Sequence, residues 1–548
     1  MTPPPEPLVV APVLLPLATA ALLFGLGGRL RRLRALLGVG SAVLGLTLVA
    51  ALALRLHAEP LPLAYAVHLP GNWPAPFGIV LVADHLSALM ALLAGSVGLA
   101  ALLFALARWQ HAGVHFHPLF QLQLAGLYGA FLTGDLFNLF VFFEVLLAAS
   151  YALLLHAGGL ARVRAGLHYI AVNLAASLLF LVGVAVLYGV TGTLNMADIA
   201  RVLPSVPAGD RGLLHAGAAI LAVAFLAKAA AWPLGWWLPA AYSAASAPAA
   251  ALFTILTKVG LYALLRLWTL WFAPAAGASA GFGGVALVWA GLVTLGFAAL
   301  GMLASQQLGR LAAYGVVASS GTVLAALGFG APALTGGALY YLASSTLAAC
   351  LLFLLVEPLE RARQVELGPQ DFDDGHAALP AFFDARPAPS INLDDDEQAL
   401  IGRAFPAALA FLGIAFVVCA LVVAGLPPLS GFVGKLALLQ ALLPLATPAA
   451  AVMFVLLLGS GLLAALALVR AGMRHFWSAG ERPPPQLRLV EGTPIAALAL
   501  VLLALAAQGG PLLDYTRASA DALHEPARYI EAVLGARPRE RAAEPVSR

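Results

Sequence analysis

The chain has 548 residues, 62% of them hydrophobic and only 10% charged, with a formal net charge of +3. Apolar runs of about 20 residues, the length a helix needs to cross a bilayer, recur throughout, and no stretch outside them is long enough to build a soluble domain. The two cysteines, Cys350 and Cys419, each stand alone in an apolar run, which excludes a disulfide framework, a zinc site and an iron–sulfur cluster.

The pattern predicts an all-α polytopic membrane protein with 14 spans. The first three, at 8 to 27, 35 to 55 and 79 to 107, lie in an N-terminal segment, 1 to 117. MTPPPEP at the start carries no positive charge while RLRRLR follows the first run, the reverse of a cleavable signal peptide, so the first helix is expected to stay. GLGG at 25 to 28 closes a hydrophobic helix and follows no strand, so it fails as a phosphate loop. Asp84 and His85 open the third span and read as boundary residues, as does Asp135 in a later loop. His168 and His215, near helix starts, read as interfacial.

Spans four to eight, at 118 to 134, 137 to 156, 166 to 190, 213 to 240 and 247 to 271, form a first five-helix unit, 118 to 271. Spans nine to thirteen, at 283 to 305, 310 to 329, 335 to 356, 405 to 445 and 450 to 470, form a second, 283 to 470. The fourth member of each is too long or too broken for a plain helix, since Pro233 interrupts one and Pro427 and Pro428 the other. Five is odd, so the two units run in opposite senses through the bilayer, and inverted repeats with sites at the midplane are a recurrent transporter plan. A last span at 491 to 508 begins the segment 491 to 548, whose polar tail is expected to lie along the membrane or a neighbouring subunit.

Short cytoplasmic loops collect positive charge. With alternating helices, Arg29, Arg31, Arg32, Arg34, Arg108, Arg162, Arg164, Arg310, Arg470, Arg474, Arg482 and Arg488 fall on one side, against Arg55, Arg201, Arg211 and Arg266 on the other. Both termini then face outward. The insert 357 to 403 holds 11 acidic residues against 4 arginines, and reads as a solvated cytoplasmic loop.

Few charges remain inside the spans. Glu144 stands near the middle of LFNLFVFFEVLLAASYALLL, 136 to 155. An intramembrane carboxylate is expensive and marks an ion or proton pathway. The chain has 26 arginines but only three lysines, Lys228, Lys258 and Lys435, all inside predicted spans. Arginine stays protonated, whereas a lysine in an apolar site can release its proton near neutral pH, so the three lysines read as proton-exchanging groups. The breaks at Pro233 and at Pro427 and Pro428 lie beside two of them, and broken membrane helices are tolerated where they line a cavity or are buried in protein.

These motifs carry a resemblance. DLFNLFVFFEVLLAASYALL, AFLAKAAAWPLGWWLPAAYSAASAPAAALFTILTKVGLYALLRL, GRLAAYGVVASSG and AGLPPLSGFVGKLALL, in that order, resemble the antiporter-like subunits of respiratory complex I and, more closely, the D subunits of Mrp-type monovalent cation/proton antiporters. The resemblance covers roughly residues 8 to 508. It implies a 14-helix fold with two inverted five-helix units, and a proton path through Glu144, Lys228, Lys258 and Lys435, with Glu144 holding Lys228 charged as an ion pair. It implies a proton-translocating transporter subunit of the cell inner membrane, with partner subunits, protons and Na+ or another monovalent cation, and with no cofactor, metal or nucleic acid. The alternative is a proton-pumping subunit of complex I or a membrane-bound hydrogenase, driven by distant redox chemistry. A purely structural scaffold is a third reading, in which the buried charges matter only for assembly. Complex I relatives often carry His where this chain has Gly235 and in the stretches around Ser320 and Ser344, so water or Ser and Tyr hydroxyls must bridge the lysines here.

Overall fold

A computed structural model describes residues 7–26, 30–58, 64–109, 113, 115–156, 158–364, 407–477 and 487–538. The acidic insert from residue 365 on therefore lies outside the described residues. In chain order the elements are α1 Pro7–Gly25, α2 Arg31–Ala58, β1 Ala66–His68, β2 Leu81–Ala83, α3 His85–Ala105, α4 Phe116–Leu132, α5 Leu136–Leu154 and α6 Leu160–Thr191. Then follow α7 Met196–Val202, α8 Arg211–Lys228, α9 Trp237–Ala244, α10 Ala247–Trp271, α11 Gly284–Ala304, α12 Leu308–Gly328 and α13 Pro332–Gln364. After the insert come α14 Ala407–Ala424, α15 Ser430–Leu442, α16 Pro448–Gly472, α17 Leu489–Ala507, α18 Gly509–Leu523 and α19 Pro526–Leu534.

Among the described residues 13 helices are long and apolar enough to cross a membrane. With 17 residues, α4 is shorter than these and stands where the fourth span is predicted. The third span starts later than expected: residues 81 to 83 form β2, paired antiparallel with β1, and the helix begins at His85. Asp84 stops it there, because its carboxylate accepts the Ser87 amide at 2.9 Å while the Ser87 hydroxyl accepts the Asp84 amide at 2.8 Å. Asp135 likewise caps α5, accepting the Asn138 amide at 2.9 Å.

The long seventh and twelfth predicted spans each run as two helices. One ends at Lys228 and resumes at Trp237; the other ends at Ala424 and resumes at Ser430. Between them α10 forms the axis of the bundle. Every one of its residues is buried, and it packs against α3, α5, α8, α12 and α13. A helix apolar all round belongs in such a core, so the single lysine on α10 is held at the centre of the protein.

Apolar burial does not drive association between helices inside lipid; close packing of small residues does. The α11–α12 pair follows this rule. A Cβ on Gly291 would lie 2.2 Å from the Ala325 nitrogen, and one on Gly321 would lie 2.6 Å from the Leu295 nitrogen. The tail packs on the body of its own chain, α18 against α13 and α19 against α7, where its tyrosines find buried partners. Cys350 and Cys419 are both buried and free, the Cys419 thiol donating to the Ala348 carbonyl at 3.1 Å.

Candidate functional site

Lys258 occupies the middle of α10 and is almost wholly buried. Its ammonium donates to the Ser319 hydroxyl at 3.0 Å, the Ser320 hydroxyl at 3.3 Å and the Val316 carbonyl at 3.4 Å, all on α12. Ser319 is in turn bonded to Ser345 of α13 at 2.7 Å. Ser345 lines a small cavity together with Tyr341, Ser460 and Lys435. A chain of polar atoms thus leaves Lys258, crosses two hydroxyls and opens into the space that holds the next lysine.

Lys435, on α15, donates to the Ala424 carbonyl at 2.8 Å. That acceptor is free for a local reason. In a continued helix it would take the amide of the residue four places on, but that residue is Pro428, which has none. The break supplies the carbonyl and the lysine satisfies it. Gly461 of α16 makes the close fit possible, since a Cβ there would lie 2.7 Å from the Ala424 oxygen and 2.9 Å from the lysine nitrogen.

Lys228 is the last residue of α8. Its ammonium donates to the Ser177 hydroxyl of α6 at 3.2 Å and stands 4.9 Å from the centre of the Phe143 ring, a cation–π contact. Phe143 adjoins Glu144 on α5 in a half-buried stretch, and Glu144 Oε1 is enclosed without a hydrogen-bond partner among the described residues. The structure brings Glu144 and Lys228 into one neighbourhood, yet the ammonium faces Ser177 and Phe143, and no Glu144–Lys228 ion pair is closed. Helices α8 and α10 meet directly at Gly260, where a Cβ would lie 2.8 Å from the Phe225 carbonyl.

Sequence reasoning missed Ser177, Ser319, Ser345 and Ser460. A signal for two of them was present, because α12 and α13 each carry a serine doublet, Ser319 with Ser320 and Ser344 with Ser345, inside apolar runs. Ser344 does not join the chain from Lys258; it bonds Ser430 at the start of α15 at 2.8 Å.

A further buried pair lies at the far end of α10. Arg266 holds both Asp84 oxygens at 2.7 Å, between the rings of Tyr262 and Tyr529. Burial alone would raise the Asp84 carboxyl, but the Arg266 charge and hydrogen bonds, with the Ser87 contacts, hold it below the ordinary value. Bidentate pairs of this kind fix geometry, and Asp84 acts as the boundary residue that its position suggests.

The family described as NADH:quinone oxidoreductase/Mrp antiporter, transmembrane, matches residues 133–373. The chain is 49% identical over 540 residues to a Rhizobium meliloti protein named as the probable D subunit of a K+/H+ antiporter, covering 96% of this chain and 98% of that one. It is 35% identical to a protein of Alkalihalophilus pseudofirmus named as the D subunit of a Na+/H+ antiporter, covering 96% and 99%. Among solved structures, a chain of the Mrp complex from Dietzia sp. superposes with a TM-score of 0.79 at 27% identity, covering 97% of this chain and 99% of that one.

Proposed function

The chain belongs to the family of Mrp-type antiporter D subunits, and on that premise we propose that it is the proton-translocating membrane subunit of a multisubunit monovalent cation/proton antiporter. It is a transporter subunit rather than an enzyme, and it works among partner subunits in the inner membrane. The observation that carries the proton path is the hydroxyl bridge. Lys258, Ser319 and Ser345 are linked by bonds of 3.0 and 2.7 Å, and Ser345 shares a cavity with Lys435.

In this reading a proton held by Lys258 passes through Ser319 and Ser345, whose hydroxyls both donate and accept, into the Lys435 cavity. Each hydroxyl gives its own proton onward as it takes one, so no charge rests on it. Lys435 receives the proton where the Ala424 carbonyl stabilises its charged form. Glu144 and Lys228 act upstream. Glu144 favours the charged ammonium when the two close into contact, and opening that contact sends the proton towards α10. The open arrangement, with the ammonium on Ser177 and Phe143, is then one of two states of the pair.

Residues 118 to 271 and 283 to 470 act as the two inverted units, and the interruptions at Pro233 and at Pro427 and Pro428 lie at matching places in them. Both termini face outward and the acidic insert is cytoplasmic. The gathering of Arg108 and Arg361 around Glu357 and Glu491 at one end of the bundle, where the Arg488 guanidinium donates to the Ala107 carbonyl, supports that orientation. The exchanged cation is monovalent, Na+ or K+. The same residues in a complex I or hydrogenase assembly would be driven by redox chemistry, and the near full-length likeness to antiporter relatives favours the antiporter. Lys258→Met tests the core of the proposal. Cation-dependent proton flux in everted vesicles is expected to vanish while the complex still assembles on a native gel, and flux at the wild-type rate would overturn it.

A further inference from the structure

A second line of buried polar groups, unused by the proton path, runs between α2 and α4. Arg34, Gly38, Ser41 and Gly45 share one face of α2 at spacings of three and four residues. His117, Gln121 and Tyr128 face them from α4. The Ser41 hydroxyl donates to Gln121 Oε1 at 3.1 Å, Gln121 Nε2 donates to the Gly38 carbonyl at 2.7 Å, and Thr19 of α1 joins through Ser41 at 3.0 Å. A Cβ on Gly38 would lie 3.1 Å from His117 Nδ1, so the imidazole is pressed against α2 one turn from Arg34.

The middle of this line is satisfied and its ends are not: the Tyr128 hydroxyl is enclosed without a partner at one, and Arg34 and His117 stand at the other. Arg34 is 3% exposed and His117 5%. Arg34 Nε and both ring nitrogens of His117 are enclosed with no hydrogen-bond partner, and no carboxylate among the described residues pairs with Arg34. A guanidinium does not escape by losing its proton, so the enclosed Nε calls for an acceptor, while the two Nη groups of Arg34, which are not enclosed, stay open to one. The arrangement lacks an anion that offers several acceptor oxygens to a planar fork and an imidazole, which a phosphate group does.

The surroundings indicate where that phosphate comes from. Leu30, just before α2, and Leu33 and Leu36 in its first turns are exposed at 48%, 41% and 72%, as is Phe24 at the end of α1 at 47%. These side chains form an acyl-chain surface beside a basic helix start, where Arg31 and Arg32 are exposed as well. Basic pockets between helices at the cytoplasmic side take anionic headgroups. We propose that Arg34 and His117 form a phosphate site for one anionic phospholipid of the inner leaflet, wedged between α1, α2 and α4. The leaflet assignment rests on the orientation given under the proposed function; the phosphate chemistry does not.

The test uses the purified complex, with native mass spectrometry to count retained phospholipid and titration with phosphatidylglycerol micelles or inorganic phosphate to follow thermal stability. Wild type is expected to retain one phospholipid more than Arg34→Gln and to need about tenfold less phosphatidylglycerol for the same stabilisation, as for the loss of a charge-assisted contact. Arg34→Lys should recover most of the retention. If Arg34→Gln fails to assemble, His117→Gln is compared with wild type and is expected to show the same loss in weaker form. Inorganic phosphate that protects as well as the lipid would overturn the lipid source, and equal retention by wild type and variants would overturn the site. Antiport measured on the same samples reports on the proton path separately, since neither residue belongs to it.

Discussion

Removing one oxygen atom should cut the route between the two central lysines. In Ser319→Ala the Lys258 ammonium loses its 3.0 Å acceptor and Ser345 loses its 2.7 Å partner. The remaining acceptors of Lys258 lead nowhere: Val316 offers a carbonyl, and the Ser320 hydroxyl turns back to that same carbonyl at 3.2 Å. A positioned proton-transfer group is worth about 10²–10⁴ in rate, or about 3–5 kcal/mol of barrier. A water molecule entering the vacated space would reduce the loss, so a fall of at least about tenfold in proton flux is expected. Ser320→Ala removes an equal volume and one lysine contact but not the bridge, and should cost less than about threefold. Ser319→Thr keeps the hydroxyl and should retain most of the flux. The assay is cation-driven proton movement in everted vesicles, normalised to complex assembled on a native gel. Wild-type flux in Ser319→Ala, or equal losses in Ser319→Ala and Ser320→Ala, would refute the bridge.

Lys228→Arg should assemble but stall, because a guanidinium keeps its proton; wild-type transport by that variant would remove Lys228 from the path. Glu144→Gln should abolish antiport with assembly intact, since Gln retains the shape but not the charge, and normal flux in vesicles would exclude Glu144. Gly461→Ala would place a methyl group 2.7 Å from the Ala424 oxygen and 2.9 Å from Lys435 Nζ, so a several-fold loss of flux and a stability cost of about 1–3 kcal/mol are expected; unchanged flux would show that Lys435 does not depend on this carbonyl. Asp84→Asn leaves Arg266 buried without a counter-charge and should cost about 3–5 kcal/mol, read as earlier thermal unfolding and faster proteolysis of the tail. Because the Asp84 carboxyl is held low in the folded protein, the stability it contributes is present above the ordinary unfolded value of about 3.9 and disappears only as pH falls below it. Melting between pH 5 and 9 should therefore show no step from this pair.

The helices, and the short list of charges buried in them, were legible from the chain alone. A run of 20 apolar residues has one stable form in lipid, because every backbone polar group must be paired within the segment. A charged side chain in such a run is costly enough to be conspicuous without any contact map. That reasoning isolates Glu144, Lys228, Lys258 and Lys435, and the missing amide of Pro428 predicts a break beside the last of them. It also reads Asp84 and Asp135 as boundary residues, and both cap helices. It misplaces the start of the third span, because Val and Leu in the β2 segment are as apolar as any helix residue and only the Asp84 cap ends their claim.

What one charge faces is a different kind of fact. Serine is too common and too small to be conspicuous in an apolar run, so Ser319 and Ser345 acquire meaning only when α10, α12 and α13 are packed side by side. The same holds for Lys228, whose ammonium turns to Ser177 and Phe143 rather than to the carboxylate that its charge would select. Arg266, counted by its charge among the loop arginines, proves to be locked to Asp84, 182 positions away in the chain. Local pairing rules act over one helical turn and are written in the order of residues. Partners on different helices are chosen by how closely glycine-rich faces such as those of α11 and α12 allow backbones to approach, and that is decided by tertiary packing.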